Sequence, residues 1–133
     1  MKPFKFLTLI ACVALMSSCS STSVFPVSST VPAAEIKVKK TQDKNKNNVI
    51  ELTAKNLADA SRLNPPKNNY SVWIVTEDNM VKNIGQLTNR NARTATLKTS
   101  TPFEVIEIFI TAEDRGNATY PSGVEISRTK FNK

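Results

Sequence analysis

The sequence predicts an all-β fold, an antiparallel sandwich of about seven short strands. Three observations carry that prediction. From Glu35 onward apolar and polar residues alternate with a period of two, the alternating runs are rich in β-branched and aromatic residues, and they are separated by Asn-, Gly- and Pro-bearing turns with no sustained amphipathic helix.

The first strand follows from Ile36 and Val38, which alternate with Lys37 and Lys39. Asp43 to Asn48 (DKNKNN) is a turn, and Val49 to Lys55 alternates again. Ile50, Leu52 and Ala54 face one way, with Glu51, Thr53 and Lys55 facing the other, so these strands should pair as a hairpin. Asn56 to Asn69 has Leu57, Ala60 and Leu63 at helical spacing, but Pro65-Pro66 must end any helical turn. We read it as a long loop pinned to the core by Leu57 and Leu63.

Tyr70 to Thr76 (YSVWIVT) is the strongest strand. Tyr70, Val72, Ile74 and Thr76 share one face, and Ser71, Trp73 and Val75 the other, so a central strand covered on both sides is expected. Glu77-Asp78-Asn79 makes a turn, Val81 to Leu87 is a strand with a bulge at Gly85, and Arg93 to Lys98 alternates weakly through Ala95 and Leu97, its exposed Thr residues suiting an edge or a solvated face. In Phe103 to Thr111, Phe103, Val105, Glu107 and Phe109 lie on one face, and Glu104, Ile106, Ile108 and Ile110 on the other. Glu107 then needs a strand end or a cation, because an unpaired buried carboxylate is costly. Ala112 to Gly123 is a loop, and Val124 and Ile126 alternate in the last strand. The lone Trp73 in the most apolar strand is expected in the core, as in immunoglobulin-like sandwiches, and that is the sandwich type we expect here.

The chain before this domain reads differently. Lys2 and Lys5 are followed by an apolar run from Phe6 to Met16 and then by Ser17-Ser18-Cys19, the three-part form of an export signal. The run of roughly 11 residues is shorter than the about 20 that a spanning helix needs. An ordinary signal cut after Ser18 or Ser20 would leave Cys19 incidental. The stretch Leu15-Met16-Ser17-Ser18-Cys19, however, resembles the lipobox of bacterial lipoproteins, with Met16 where Leu is usual. The resemblance implies cleavage between Ser18 and Cys19, a diacylglyceryl group on the Cys19 thiol and acylation of the new N-terminus. Ser20 after the Cys, rather than Asp, implies passage to the outer membrane of a Gram-negative envelope, facing the periplasm. Two or more acyl chains hold a protein firmly at about 0.8 kcal/mol per buried methylene. Residues 1–18 are thus the expected signal peptide, 19–34 a lipidated flexible tether rich in Ser and Thr, and 35–133 the β-sandwich domain.

A second resemblance rests on the succession Val49 to Lys55, Asn56-Leu57, Tyr70 to Val75, Ile84-Gly85 before Leu87, Thr101-Pro102-Phe103, Ile110-Thr111-Ala112-Glu113 and Tyr120-Pro121-Ser122-Gly123. It resembles the extracytoplasmic β-sandwich domain of membrane anti-sigma factors and their small secreted or lipid-anchored relatives. The resemblance implies a fold more than a function, since no counterpart of the sigma-binding or spanning helices is seen.

Composition narrows the chemistry. The chain has no His, Cys12 leaves with the signal and Cys19 is consumed by lipid, so Ser-His-Asp and Cys-His sites and disulfides are not expected. Ser61 and Ser71 have Asn64 and Ile74 three residues on, so neither opens a Ser-x-x-Lys tetrad. Of the paired carboxylates, Glu104 and Glu107 point to opposite strand faces, and Glu113 and Asp114 flank a turn. Glu77-Asp78-Asn79 and Glu113-Asp114 with Asn117 offer oxygen ligands for calcium, but without Asp-x-Asp-x-Asp-Gly spacing. Tyr70 and Tyr120 are the candidate exposed aromatics, and Gly85, Gly116 and Gly123 form no phosphate-binding motif.

The formal charge of +7 becomes +5 once Lys2 and Lys5 are removed. Lys37, Lys39, Lys40, Lys44 and Lys46 form its main cluster, a solvated strand and turn or an attraction for anionic headgroups or envelope polymer. We therefore expect no catalytic, cofactor or metal site and no nucleic-acid partner. The expected function is a lipid-anchored, non-catalytic binding or structural module of the cell envelope, held to the membrane through Cys19 and meeting an envelope protein or polymer. An envelope-signal sensor acting on a membrane regulatory partner and a calcium- or sugar-binding module are the alternatives.

Overall fold

The structure is a computed structural model that describes residues 20–91 and 93–131. Nine strands occur among these residues: β1 (Ser21–Val24), β2 (Glu35–Gln42), β3 (Asn48–Lys55), β4 (Asn69–Thr76), β5 (Val81–Gln86), β6 (Thr88–Asn89), β7 (Thr94–Thr101), β8 (Val105–Glu113) and β9 (Val124–Lys130). They form two antiparallel sheets, in the orders β1-β2-β3-β7-β6 and β5-β4-β8-β9, and no α-helix is present among the described residues. The fold is all-β.

Alternation in the sequence becomes alternation in burial. Ile36 and Val38 of β2, and Ile50, Leu52 and Ala54 of β3, turn inward against Tyr70, Val72 and Ile74 of β4 and Val105, Ile108, Ile110 and Ala112 of β8. Both sheets thus contribute to a common core, as two sheets each with an apolar face require. The β2–β3 hairpin pairs Glu35 with Lys55 at one end and Gln42 with Asn48 at the other. Its turn is held by Asp43, whose Oδ1 accepts from the Asn45 and Asn47 backbone N–H groups at 2.8 and 2.9 Å. The stretch 56–68 keeps a single 3-10 turn, Ala60–Arg62, with Asp59 as its cap and with Ala60 buried. Leu57 and Leu63 pack on the core as expected.

Three features depart from the sequence expectation. The described part of the expected tether, residues 20–34, is built into the sandwich. β1 pairs antiparallel with β2, from Ser21 opposite Lys40 to Val24 opposite Lys37. Beyond it Phe25, Val31 and Ala34 join the core. Ser28 Oγ accepts from the Thr30 and Val31 backbone N–H groups, and Ser127 Oγ donates to the Pro26 carbonyl at 2.9 Å. The segment is too polar to order itself, but an existing sheet edge and core offer it hydrogen bonds and a site for Phe25. Burying one such side chain contributes about 1.5–3 kcal/mol.

The second departure lies in β8. Val75 pairs with Glu107 but Thr76 pairs with Val105, which leaves Ile106 as an extra residue. This bulge reverses the phase, so that Val105 faces the main core while Ile106 packs on the opposite side of the sheet. Phe103 precedes the strand and is exposed, under the Lys82 ammonium. The third is a similar shift between β8 and β9, where Ile110 pairs with Ser127 and Thr111 with Glu125. It leaves Ile126 buried and Val124 exposed. The bulge expected at Gly85 is present, with φ of 137° at that glycine and Ile84 unpaired between Val72–Gly85 and Trp73–Asn83.

The packed N-terminal segment makes a direct prediction. Phe25→Ala should lower the unfolding free energy by about 3 kcal/mol, in the range for truncating a buried Phe. Denaturant melts would show it, with faster amide exchange in residues 21–31; an unchanged midpoint would mean the segment does not hold to the core.

Candidate functional site

Ser18 and Cys19, the residues expected to be cleaved and lipidated, lie outside the described residues. The structure does fix where the chain arrives from them. Ser21 stands opposite Lys40, close to the turn 43–47 that follows β2. At the same end, Asn48 Nδ2 donates to the Phe103 carbonyl at 2.8 Å, and the Lys40 ammonium donates to the Val105 carbonyl at 3.3 Å and lies 3.5 Å from Glu104. Lys40 also sits 4.8 Å above the Phe131 ring. The start of the described chain, its last residue and the turns 43–47, 77–80 and 102–104 therefore share one end of the sandwich.

A different constellation occupies the outer face of the second sheet. Trp73 is fully buried, as expected, but on the side facing away from the first sheet. Val72 and Ile74 fill the space between the sheets, so strict alternation sends the indole outward. There it stacks on Phe109, with centroids 6.3 Å apart, beside Val75, Ile106 and Ala118. The Arg128 guanidinium covers the Phe109 ring at 4.0 Å and pairs with Glu107 at 3.1 Å, the cation that Glu107 required.

A polar chain runs from this cluster. The indole N–H donates to Thr111 Oγ1 at 2.8 Å, and the Thr111 hydroxyl donates to Glu113 Oε1 at 2.7 Å. Glu113 is buried, and its carboxylate also accepts from the backbone N–H groups of Ser122 and Gly123 and from the Ser122 hydroxyl, at 2.9 to 3.0 Å. Burial pushes the Glu113 carboxyl up, but the bonds from Gly123, Thr111 and Ser122 outweigh it and leave the pKa below the usual value of 4.5. The carboxylate thus clamps the far end of the loop 114–123. Gly123 is required there, since a Cβ would stand 1.7 Å from the Ala112 carbonyl oxygen.

Two grooves flank the covered cluster. One, of 530 Å³, lies between β5 and the loop and is lined by Val81, Lys82, Asn83 and residues 116–119. Its Asn83 amide donates to the Gly116 and Ala118 carbonyls, both at 3.0 Å, and so ties the loop to the sheet edge. The other, of 420 Å³, is lined by Val75, Glu77, Asn79, Ile106, Glu107, Lys130 and Phe131.

The remaining candidates are dispersed. Glu104 and Glu107 bind separate cations, Lys40 and Arg128. Glu113 is consumed by the loop clamp, and Asp114 pairs with Lys67 at 3.4 Å. Among the described residues no three His, Cys, Asp or Glu side chains converge on a point that could hold a metal ion. Tyr70, considered as an exposed aromatic, is buried. Its hydroxyl donates to the Ala58 carbonyl at 2.6 Å, and burial, then the charge of Asp59, pushes it up to about 12. Tyr120 is 71% exposed. Sequence reasoning missed the Trp73–Thr111–Glu113 chain, although Phe109, Thr111 and Glu113 are spaced by two along one strand face. No helix among the described residues is long and apolar enough to cross a membrane.

Comparison with protein-family models, with curated proteins and with solved structures finds no match to this chain.

The clamp predicts an acid sensitivity. A carboxyl whose folded-state pKa is depressed contributes stability that is fully present above the ordinary value and lost as pH falls through the folded-state value. Glu113→Gln should cost about 2–3 kcal/mol at neutral pH, the scale of hydrogen bonds to a charged group. Urea midpoints taken from pH 7 downward should show the wild type converging on this variant below about pH 4.5. A gap that is the same at every pH would remove the carboxylate from the account.

Proposed function

We propose that this chain is a lipid-anchored protein of the bacterial cell envelope whose β-sandwich serves as a non-catalytic binding or structural module. The observation that carries the proposal is Leu15-Met16-Ser17-Ser18-Cys19, placed two residues before Ser21, the first residue of a folded edge strand. A thiol is the group that forms the thioether to the diacylglyceryl chain, and small residues before it let the backbone enter a peptidase. On this reading the membrane is the first partner, through Cys19, and an envelope protein or polymer is the second.

The finer fold reading belongs to the same proposal. The orders β2-β3-β7-β6 and β5-β4-β8-β9 support an immunoglobulin-like sandwich, with β1 added at one edge. Trp73 on the outer face departs from that type, in which the Trp of the equivalent strand fills the space between the sheets.

Metabolic labelling with a palmitate analogue tests the anchor. The wild-type protein should take up label and sediment with membranes, and Cys19→Ala should lose the label and be released. Equal label on both would overturn the proposal.

A further inference from the structure

We infer that the end of the sandwich formed by the turns 43–47, 77–80 and 102–104 rests on the lipid surface, with Met80 and Phe103 as its apolar contacts. The inference rests on the lipid anchor proposed above and adds an orientation to it.

β1 begins at Ser21, opposite Lys40, and its register with β2 continues without a break to Val24. Only Ser20 separates this strand from Cys19, so a lipid on that cysteine is about 7 Å from Ser21 at 3.3–3.6 Å per residue. The expected tether of fifteen residues would have allowed about 50 Å. With β1 paired, that freedom is gone, and the end nearest Ser21 is brought to the headgroups.

That end also has the chemistry of a membrane contact. Met80, Val81 and Phe103 are 51%, 40% and 42% exposed, and the Lys82 ammonium, 4.5 Å above the Phe103 ring, joins the two turns. An apolar side chain beside a lysine suits the headgroup boundary, where the chain enters the apolar layer and the ammonium stays wet.

Charge alone does not carry the contact. Lys44 and Lys46 are exposed on the first turn, but Glu77 and Asp78 are exposed on the second. Asp43 serves its own turn, while Glu104 is paired with Lys40 and Glu107 with Arg128. With the signs nearly balanced, the short covalent link and the apolar contacts must hold the orientation.

The opposite end, with residues 25–34 and 56–68, then stands about 25 Å farther out, the length of an eight-residue strand. It is the end presented to a partner in the aqueous space.

The mature chain has no cysteine other than the acylated one. Single fluorophores can therefore be placed through Lys44→Cys and Arg62→Cys, the latter exposed in the 56–68 connection, in the full-length lipidated protein, reconstituted in phosphatidylethanolamine–phosphatidylglycerol vesicles carrying a headgroup nitroxide. Label at position 44 should be quenched severalfold more than label at 62, and raised salt should leave that ratio unchanged. Combining Met80→Ser and Phe103→Ser should bring the two closer. Equal quenching of both labels in protein that carries palmitate would overturn the orientation while leaving the anchor intact. An unchanged ratio in the double variant would remove Met80 and Phe103 from the contact. Loss of palmitate incorporation in the wild type would instead defeat the anchor and the orientation together.

Discussion

In strand β4, seven of its eight residues are buried, and the rest of the molecule is arranged around that requirement. A strand with apolar side chains on both faces needs two layers of cover. The inner layer comes from the facing sheet, through Ile36, Val38, Ile50 and Leu52. The outer layer has no third sheet to supply it. It is assembled from the loop 114–123 and from Arg128, which spreads over Phe109. A loop brings backbone polar groups that must be satisfied when it is pressed onto a sheet. Glu113 meets that need by accepting from two backbone N–H groups at the loop's return, while Thr111 links it to the indole beneath. The buried carboxylate therefore serves as a fastening for the cover over Trp73. Four donors hold its charge.

The other organising contact is at the N-terminal edge. β1 adds a strand beside β2, and its Ser23 hydroxyl lies 2.6 Å from that of Thr129 in β9, which belongs to the other sheet. The edges of the two sheets are bridged there, with Phe25 driven into the core just beyond. A bridged edge is also one on which a foreign strand cannot easily add. The same pairing shortens the connection to the predicted acylation site from a flexible arm to a stub. One local event, the zipping of four residues onto β2, thus governs both edge protection and the placement of the domain relative to its anchor.

Most of the fold was legible because the physics that dictates it is local. Period-two alternation in β2, β3 and β4 predicted which residues face the core, and the observed burial of Ile36, Val38, Ile50, Leu52, Val72 and Ile74 follows it. What was not legible depends on partners. The bulges at Ile106 and Ile126 are properties of two strands in register, and a single run of residues carries no mark of where its neighbour skips one. Trp73 was correctly expected to be buried, but its face could not be assigned to the gap between the sheets or to the outer cover before the loop 114–123 was placed. Residues 20–34 have the composition of a tether because, in isolation, they cannot bury enough apolar surface to order themselves. Isolation is the wrong reference state, for a segment with few apolar residues can be ordered by a sheet that already exists. The candidate site was less legible still. Cys19 is a sequence signal outside the described residues, whereas the exposed Met80 and Phe103 have meaning only once the fold brings their turns to the end where Ser21 enters.

The clamped loop and the short N-terminal stub give the sandwich two unlike ends. At the entry end the connections are short turns: five residues join β2 to β3, and 77–80 join β4 to β5. The long connections, 25–34, 56–68 and 114–123, all leave from the other end, beside the one- and four-residue links that flank β6, and the second and third are secured by directed bonds: Tyr70 to Ala58, Asn83 to Gly116 and Ala118, and Glu113 to Ser122 and Gly123. Short turns make a blunt base that can lie close to a surface. Long loops would be free to vary in conformation, and fastening them costs hydrogen-bonding groups and a buried charge that a merely solvated loop would not need. The fastening fixes a surface of defined shape at the end that, in the inferred orientation, points into the aqueous space. On the proposed function the domain acts by the surface it presents, and a surface becomes selective when its loops are held in one arrangement before a partner arrives.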